Sequence, residues 1–254
     1  MSLTDDSLPR DGETLDIILD GRIKLMQPKK GYRFSMDSVL VTGLTRTSPQ
    51  DRVMDLGTGC GVIPLLLAIQ HQVAHVTGIE IQESLVSIAR RNVNLNGLSH
   101  LVRIIHGDLR TMPKGVVGSP ITLVVSNPPY RELRSGRLNP DKEKAVARHE
   151  VLANLTDVVR AASRLLAHRG RLALIYPARR LPHLLSEVSQ GGFAPRQLTL
   201  IHTNLETPAK LAHLESVKGG GEELQVSKPF AVYQMDGSYT AEMAAMYGDA
   251  SAVS

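Results

Sequence analysis

The stretch Arg52-Val53-Met54-Asp55-Leu56-Gly57-Thr58-Gly59-Cys60-Gly61 limits the fold more than any other. A short apolar strand runs into a turn with glycine at alternate positions. A helix then opens at Val62-Ile63-Pro64, where proline is tolerated because first-turn N–H groups have no helical partner. Leu65, Leu66, Leu67 and Ala68 are apolar nearly all round, so the helix is buried. Glycines let the backbone approach a ligand closely, and a helix N-terminus favours polar or negative groups. The spacing Gly57-x-Gly59-x-Gly61 is not the dinucleotide pattern G-x-G-x-x-G, which would also place glycine at Val62. Asp55, at the strand end, can accept hydrogen bonds from the loop and, through water, from a ligand amine. An ordinary strand–helix turn is the alternative.

Two further strands follow the same plan. Ala74 to Ile79 ends in Glu80, about 20 residues past the glycine loop, where a carboxylate commonly holds a ribose hydroxyl pair. The helix Glu83 to Asn96 shows Leu85, Ile88, Ala89 and Val93 on one face and stops at Gly97. Strand Val102 to Ile105 leads to His106-Gly107-Asp108. Asp108 closes the third strand, near where an adenine would lie, and His106 reads as structural.

The fourth strand, Ile121 to Val125, breaks off in Asn127-Pro128-Pro129-Tyr130. Each proline lacks an N–H and fixes φ, and proline holds its predecessor out of the helical region. Asn127 and Pro128 therefore stay extended at a strand's carboxyl end, where open α/β sheets bind ligands. The Asn127 side-chain oxygen and the Pro128 carbonyl are two acceptors that can grip both hydrogens of one NH₂ group. Tyr130 offers a flat face for a planar ring. A structural Pro-Pro loop is the alternative for this turn taken alone. Right-handed crossovers bring Asp55, Glu80, Asp108 and Asn127 to one edge of one sheet.

Composition narrows the class. A chain of 254 residues can bury a substantial core. The single cysteine, Cys60, excludes an internal disulfide framework and suits a reducing cytoplasm. No signal segment opens the chain, and no apolar run approaches the roughly 20 residues of a membrane span. A formal charge of +4 permits a nucleic-acid partner without requiring one.

The N-terminal residues through Glu13 read as a frayed end. Thr14 to Leu19 and Arg22 to Gln27 flank Asp20-Gly21, a hairpin signal. Pro28 to Phe34 is a basic loop with two aromatics. It is either a solvated turn or a strip that contacts phosphates through Lys29, Lys30 and Arg33, with Tyr32 beside them. Ser35 is the expected N-cap of a helix to about Leu44. After Tyr130, residues 131–150 are charged and irregular, either a solvated loop or a lid over the substrate carrying Arg131, Arg134 and Arg148. The remainder reads as helix Leu155 to Ala167 stopped by Gly170, strand Arg171 to Tyr176, helix Leu181 to Gln190 and strand Arg196 to His202. A last pair, Lys210 to Val217 and Leu224 to Tyr233, flanks Gly219-Gly220-Gly221, with a hairpin as its expected form. The tail from Asp236 is partly helical. The expected organisation is a hairpin and helix over residues 1–48, a catalytic domain over 49–236 and a tail over 237–254.

Asp55-Leu56-Gly57-Thr58-Gly59 with Glu80, Asp108 and Asn127-Pro128-Pro129-Tyr130 resembles the class I S-adenosylmethionine-dependent methyltransferases. The resemblance implies a Rossmann-like α/β fold with a seven-stranded mixed sheet of order 3-2-1-4-5-7-6. It also implies S-adenosylmethionine as cofactor, with the glycine loop Gly57, Thr58 and Gly59 around the methionine part, Glu80 at the ribose and Asp108 at the adenine amine, and with Asp55, Ile81, Leu109 and Asn127 also binding the cofactor. In that superfamily the Asn-Pro-Pro-Tyr turn marks methylation of an amino group, which gives Asn127, Pro128 and Tyr130 the catalytic role. Asp20-Gly21-Arg22, Gly31-Tyr32-Arg33-Phe34-Ser35 with Asp37, Ala147-Arg148-His149-Glu150 and Lys218-Gly219-Gly220 resemble more narrowly the bacterial tRNA adenine-N(6) methyltransferases. That likeness implies RNA as partner, an adenosine next to the anticodon as target, and no metal.

Rival readings make separate expectations. Protein glutamine methyltransferases share the turn but carry an N-terminal helical domain, where only about 50 residues precede the glycine loop here. Ribosomal RNA guanine methyltransferases place another aromatic after the prolines. A non-catalytic RNA-binding scaffold would have no need of the intact set Asp55, Glu80, Asp108 and Asn127. A nicotinamide dehydrogenase would need the glycine spacing that is missing.

Overall fold

The computed structural model describes residues 7–31, 33–71, 73–113, 115, 118–129 and 153–248. Tyr32, Tyr130, Arg131, Arg134 and Arg148 lie outside these residues, as does the whole segment read above as a lid. The chain opens with β1 (Glu13–Ile18) and β2 (Ile23–Pro28), an antiparallel pair closed by Leu19, Asp20 and Gly21, all at positive φ. Helix α1 (Met36–Leu44) follows. Ser35 occupies its N-cap position as expected, but its side chain makes no capping hydrogen bond.

The remaining elements are β3 (Arg52–Leu56), α2 (Val62–Gln70), β4 (His75–Glu80), α3 (Glu83–Leu95), β5 (Val102–His106), β6 (Ile121–Ser126), α4 (Leu155–Leu165), β7 (Leu166–Pro177), α5 (Leu181–Gln190), β8 (Phe193–His202), β9 (Ala209–Lys218), β10 (Gln225–Val226), β11 (Phe230–Ala231) and α6 (Ala241–Met246). The second sheet has nine strands, in the order β5-β4-β3-β6-β7-β9-β8-β10, with β11 also on β8. Only β9 runs antiparallel to its neighbours.

Two expectations are corrected. The sheet has nine strands rather than seven, because residues 224–233 do not form a hairpin with β9. Both edges of β9 are already paired, with β7 and β8. The chain leaving β9 must therefore cross to the free edge of β8, where β10 and β11 pair parallel to it. The helix expected over Leu155 to Ala167 ends at Leu165, and Leu166 is already strand. Its start is fixed by a capping box, Asn154 with Asp157.

The parallel strands are buried on both faces, which alternating residues make possible. Val53, Leu123, Val125, Ala173 and Ile175 face one apolar layer. Met54, Leu56, Val124, Leu172 and Leu174 face the other. The hairpin joins the first layer through α3. Two asparagines one turn apart on α3 act as a substitute strand for the free edge of β2. Asn92 accepts from Met26 N (2.7 Å) and donates to Met26 O (2.9 Å), while Asn96 accepts from Lys24 N (2.9 Å) and donates to Lys24 O (2.7 Å). Arg91, nearly buried, pairs with Glu13 at 2.8 Å.

Candidate active site at the carboxyl edge of the sheet

The carboxyl ends of β3, β4, β5 and β6 meet in one place, and the backbone laces them together. Gly57 and Thr58 both donate to Ile79 O, at 3.0 and 2.9 Å. Gly107 donates to Glu80 O at 2.9 Å, and the His106 ring lies 3.0 Å from Ile81 O, a structural role as expected. The Ser126 hydroxyl donates to Leu56 O at 2.7 Å. The loop needs its glycines because Gly57, Gly59 and Gly61 all have φ between 58° and 86°, a region that side chains disfavour. Gly78 on β4 matters for another reason. A Cβ there would come within 2.6 Å of the Thr58 hydroxyl, so its absence lets the loop lie flat on the sheet.

Glu80 is buried and held by four hydrogen bonds. Its carboxylate accepts from Gly59 N (2.9 Å), Ile81 N (3.1 Å), Gln82 N (3.0 Å) and Gln82 Nε2 (3.3 Å). It therefore fixes both the glycine loop and the start of α3. Of the loop's N–H groups, Gly59 bonds to Glu80 rather than to Asp55, whose neighbour in the loop is the Thr58 hydroxyl.

Asp55 is wholly buried, and neither carboxylate oxygen has a hydrogen-bond partner among the described residues. Burial pushes its carboxyl up to about 7. The Thr58 hydroxyl beside it opposes this, and the Glu80 charge adds to it. A buried acceptor without a donor is costly, so an ordered water or a ligand must supply the donor. Asn127 repeats the pattern. Asn127 stands two residues beyond Val125, the β6 partner of Asp55, and its Oδ1 is buried with no partner among the described residues. Pro128 is buried and Pro129 exposed. The site thus holds two acceptors that no described residue satisfies, at the ends of the adjacent strands β3 and β6.

Asp108 lies at the end of β5, where the Arg110 guanidinium sits 2.7 Å away and, with its backbone N–H, holds the carboxyl below the usual range. Leu109 is buried beside it. Cys60 is fully buried within the loop, its carbonyl accepts from Asn92 Nδ2 (2.9 Å), and burial pushes its thiol up to about 12. Asn92 therefore joins hairpin, helix and loop. Sequence reasoning passed over it, although Asn92 and Asn96 on one helical face were a visible signal.

The basic loop is only partly as expected. Lys29 and Lys30 are exposed. Arg33 is not a free cation: it pairs with Asp16 (2.9 Å) and donates to Thr14 Oγ1 (2.9 Å) and Pro28 O (3.1 Å), closing the hairpin. Among the described residues, no group of three or more His, Cys, Asp or Glu could hold a metal ion, and no helix is long and apolar enough to cross a membrane.

Glycine loop, ribose-distance acid and Asn-Pro-Pro turn at the carboxyl edge of this mixed sheet define a class I methyltransferase. Comparison with known proteins agrees. The family described as methyltransferase small domain matches residues 36–188. The tRNA1(Val) (adenine(37)-N6)-methyltransferase of Porphyromonas gingivalis is 33% identical over 194 residues, 74% of this chain and 75% of that protein. The enzyme of the same name from Tolumonas auensis is 29% identical over 168 residues, 66% and 68% of the two chains. The crystal structure of a predicted O-methyltransferase from Agrobacterium tumefaciens superposes with a TM-score of 0.67 at 21% identity, over 85% of this chain and 97% of that one. This chain belongs to the methyltransferase small domain family.

Proposed function

We propose that the protein methylates the exocyclic N6 amine of an adenine in RNA, the adenosine next to the anticodon of a tRNA, using S-adenosylmethionine. The buried Asn127 Oδ1 at the end of β6 carries this reading, because among the described residues no donor meets it and an amine N–H would. The names of the relatives support the choice of base and RNA.

S-adenosylmethionine supplies an electrophilic methyl group. Gly57, Thr58, Gly59 and Asp55 would hold its methionine part, and Glu80 and Ile81 its ribose. Three of the four hydrogen bonds to Glu80 end on Oε1 and only that from Gly59 N on Oε2, so the carboxylate is held in place while Oε2 keeps a free acceptor site. Asp108 and Leu109 flank the adenine ring of the cofactor. Asn127 Oδ1 and the Pro128 carbonyl accept the two amine hydrogens of the target base, which turns the nitrogen lone pair toward the methyl. Tyr130 stacks on that base. Held this way, the amine nitrogen would be placed to take the methyl as its bond to sulfur breaks, the sulfonium leaving as a neutral thioether and the surplus amine proton passing to water. Positioning of this kind contributes about 7–11 kcal/mol in favourable cases. A loop base is the least costly to turn outward, which suits an anticodon-arm target. Lys29, Lys30, Arg131, Arg134 and Arg148, with Tyr32, contact the RNA around it, and the cytoplasm is where the protein meets tRNA.

The test is transfer of labelled methyl to tRNA, ribosomal RNA and protein fractions in parallel. The expected product is N6-methyladenosine in tRNA alone. Label recovered as methylglutamine, or as methylguanine in ribosomal RNA, would replace this reading with one of its rivals.

A further inference from the structure

The opposite edge of the sheet holds a second concavity. Leu166 pairs with Ile121, but the next pairing of β7 is Arg171 with Leu123, so residues 167–170 bulge out of the ladder. Arg169 lies in this bulge at φ +69°, a conformation rarely adopted by any residue with a side chain. Lys218 Nζ donates to Leu166 O (2.8 Å) and to Ser163 O, tying the bulge to the end of β9. Gly219 then packs against it so closely that a Cβ would lie 2.6 Å from the His168 ring.

Between the bulge and the glycine triplet is a cavity of about 360 Å³ lined by Arg169, Arg171, Arg196, Val217, Gly220 and Gly221. Three guanidinium groups line it, and no carboxylate does. Arg171 is committed to Asp51 and to the Arg46 carbonyl. Arg169 and Arg196 make no ion pair or side-chain hydrogen bond among the described residues. A neighbouring cavity of about 480 Å³ shares Arg171, Arg196 and Val217 and adds Arg46, with the carboxylates Glu215 and Glu223 also in its lining. Two uncommitted planar donors facing a glycine backbone form the chemistry that grips phosphate oxygens.

We infer that this cavity is a phosphate-binding site, separate from the site of methyl transfer. Arg171 and Pro177 are six steps apart along β7, about 20 Å of strand. The phosphate belongs either to an RNA backbone or to a free nucleotide, and the site's chemistry is the same for both. It does not depend on which group the enzyme methylates.

The test compares the wild type with the double variant Arg169→Ala/Arg196→Ala and with Arg169→Lys/Arg196→Lys, which keeps the charge. Calorimetry with inorganic pyrophosphate is expected to show at least a tenfold loss in the alanine variant and a smaller one in the lysine variant. Melting temperature and S-adenosylmethionine affinity stay at wild-type values in both. Unmodified tRNA and AMP are then titrated over a range of salt. With an RNA backbone as source, the alanine variant loses tRNA affinity and its slope of log K against log salt becomes shallower by about 1–2. With a free nucleotide as source, tRNA binding is unchanged and AMP binding is lost. Pyrophosphate, tRNA and AMP affinities that all match the wild type, in the alanine variant, overturn the inference.

Discussion

The two edges of the sheet are built from opposite chemistry. The carboxyl edge collects acceptors: Asp55, Glu80, Asp108 and the Asn127 carbonyl oxygen, two of them with no donor among the described residues. The amino edge collects donors. Arg52 begins β3 with its Nε buried and unpartnered among the described residues, and Arg169, Arg171 and Arg196 line the cavity beyond. Even His75, which opens β4, is held below its ordinary range by burial, with Arg52 and Arg103 adding to it. One edge is thus rich in acceptors and the other in donors. The acceptors of the first edge are placed by strand ends and glycines, so each has a fixed direction.

This contrast is sharpest at Asn127. Asn127→Ala removes the orphaned acceptor without touching the glycine loop, and kcat is expected to fall at least 100-fold, an effect on the scale of one lost charge-oriented hydrogen bond in a transition state. Cofactor affinity by calorimetry should stay within about twofold; normal turnover would show that the carboxyl edge is not organised around an amine. Glu80→Ala comes next. It strands the Gly59, Ile81 and Gln82 N–H groups, so a loss of about 2–4 kcal/mol in denaturant unfolding is expected, together with weak cofactor binding.

Asp55 tests the electrostatics of that edge. Its folded carboxyl titrates near 7 and its unfolded one near 3.8, so the folded state binds the extra proton between these values. The stability it contributes is full below about pH 4 and is lost as pH rises through 7. A cationic ligand favours the ionised form, so cofactor binding should release a proton and tighten from pH 6 to 8. Asp55→Asn should flatten both profiles in calorimetry and thermal melts. The smallest effect is expected at Arg33→Ala, where the Asp16 pair is more than a third exposed and thermal unfolding should change by under about 1 kcal/mol. A large loss of RNA affinity in that variant would restore Arg33 to the contact surface.

What could be read from the sequence was what local chemistry dictates. Glycine at alternate positions, a proline pair and acids closing apolar runs each specify a strand end, and β3 to β6 appeared where such signals stood. The partner of each acid was not legible. Asp55 and Glu80 look alike in sequence, and only the packing of Gly59 over β4 decides which one ties the loop. The path of residues 224–233 was hidden for a similar reason, since it depends on both edges of β9 being taken. Asn92 and Asn96 read as ordinary polar helix residues because their partner, the edge of β2, lies more than 60 positions away.

Cys60 sits inside the cofactor loop as the chain's only thiol, sealed from solvent and shifted away from its reactive form. Alkylation at that sulfur must wait for the loop to leave the sheet. The rate of labelling by a thiol reagent therefore clocks the opening of the cofactor site in the unmodified protein, and a bound ligand should slow that clock in proportion to its occupancy.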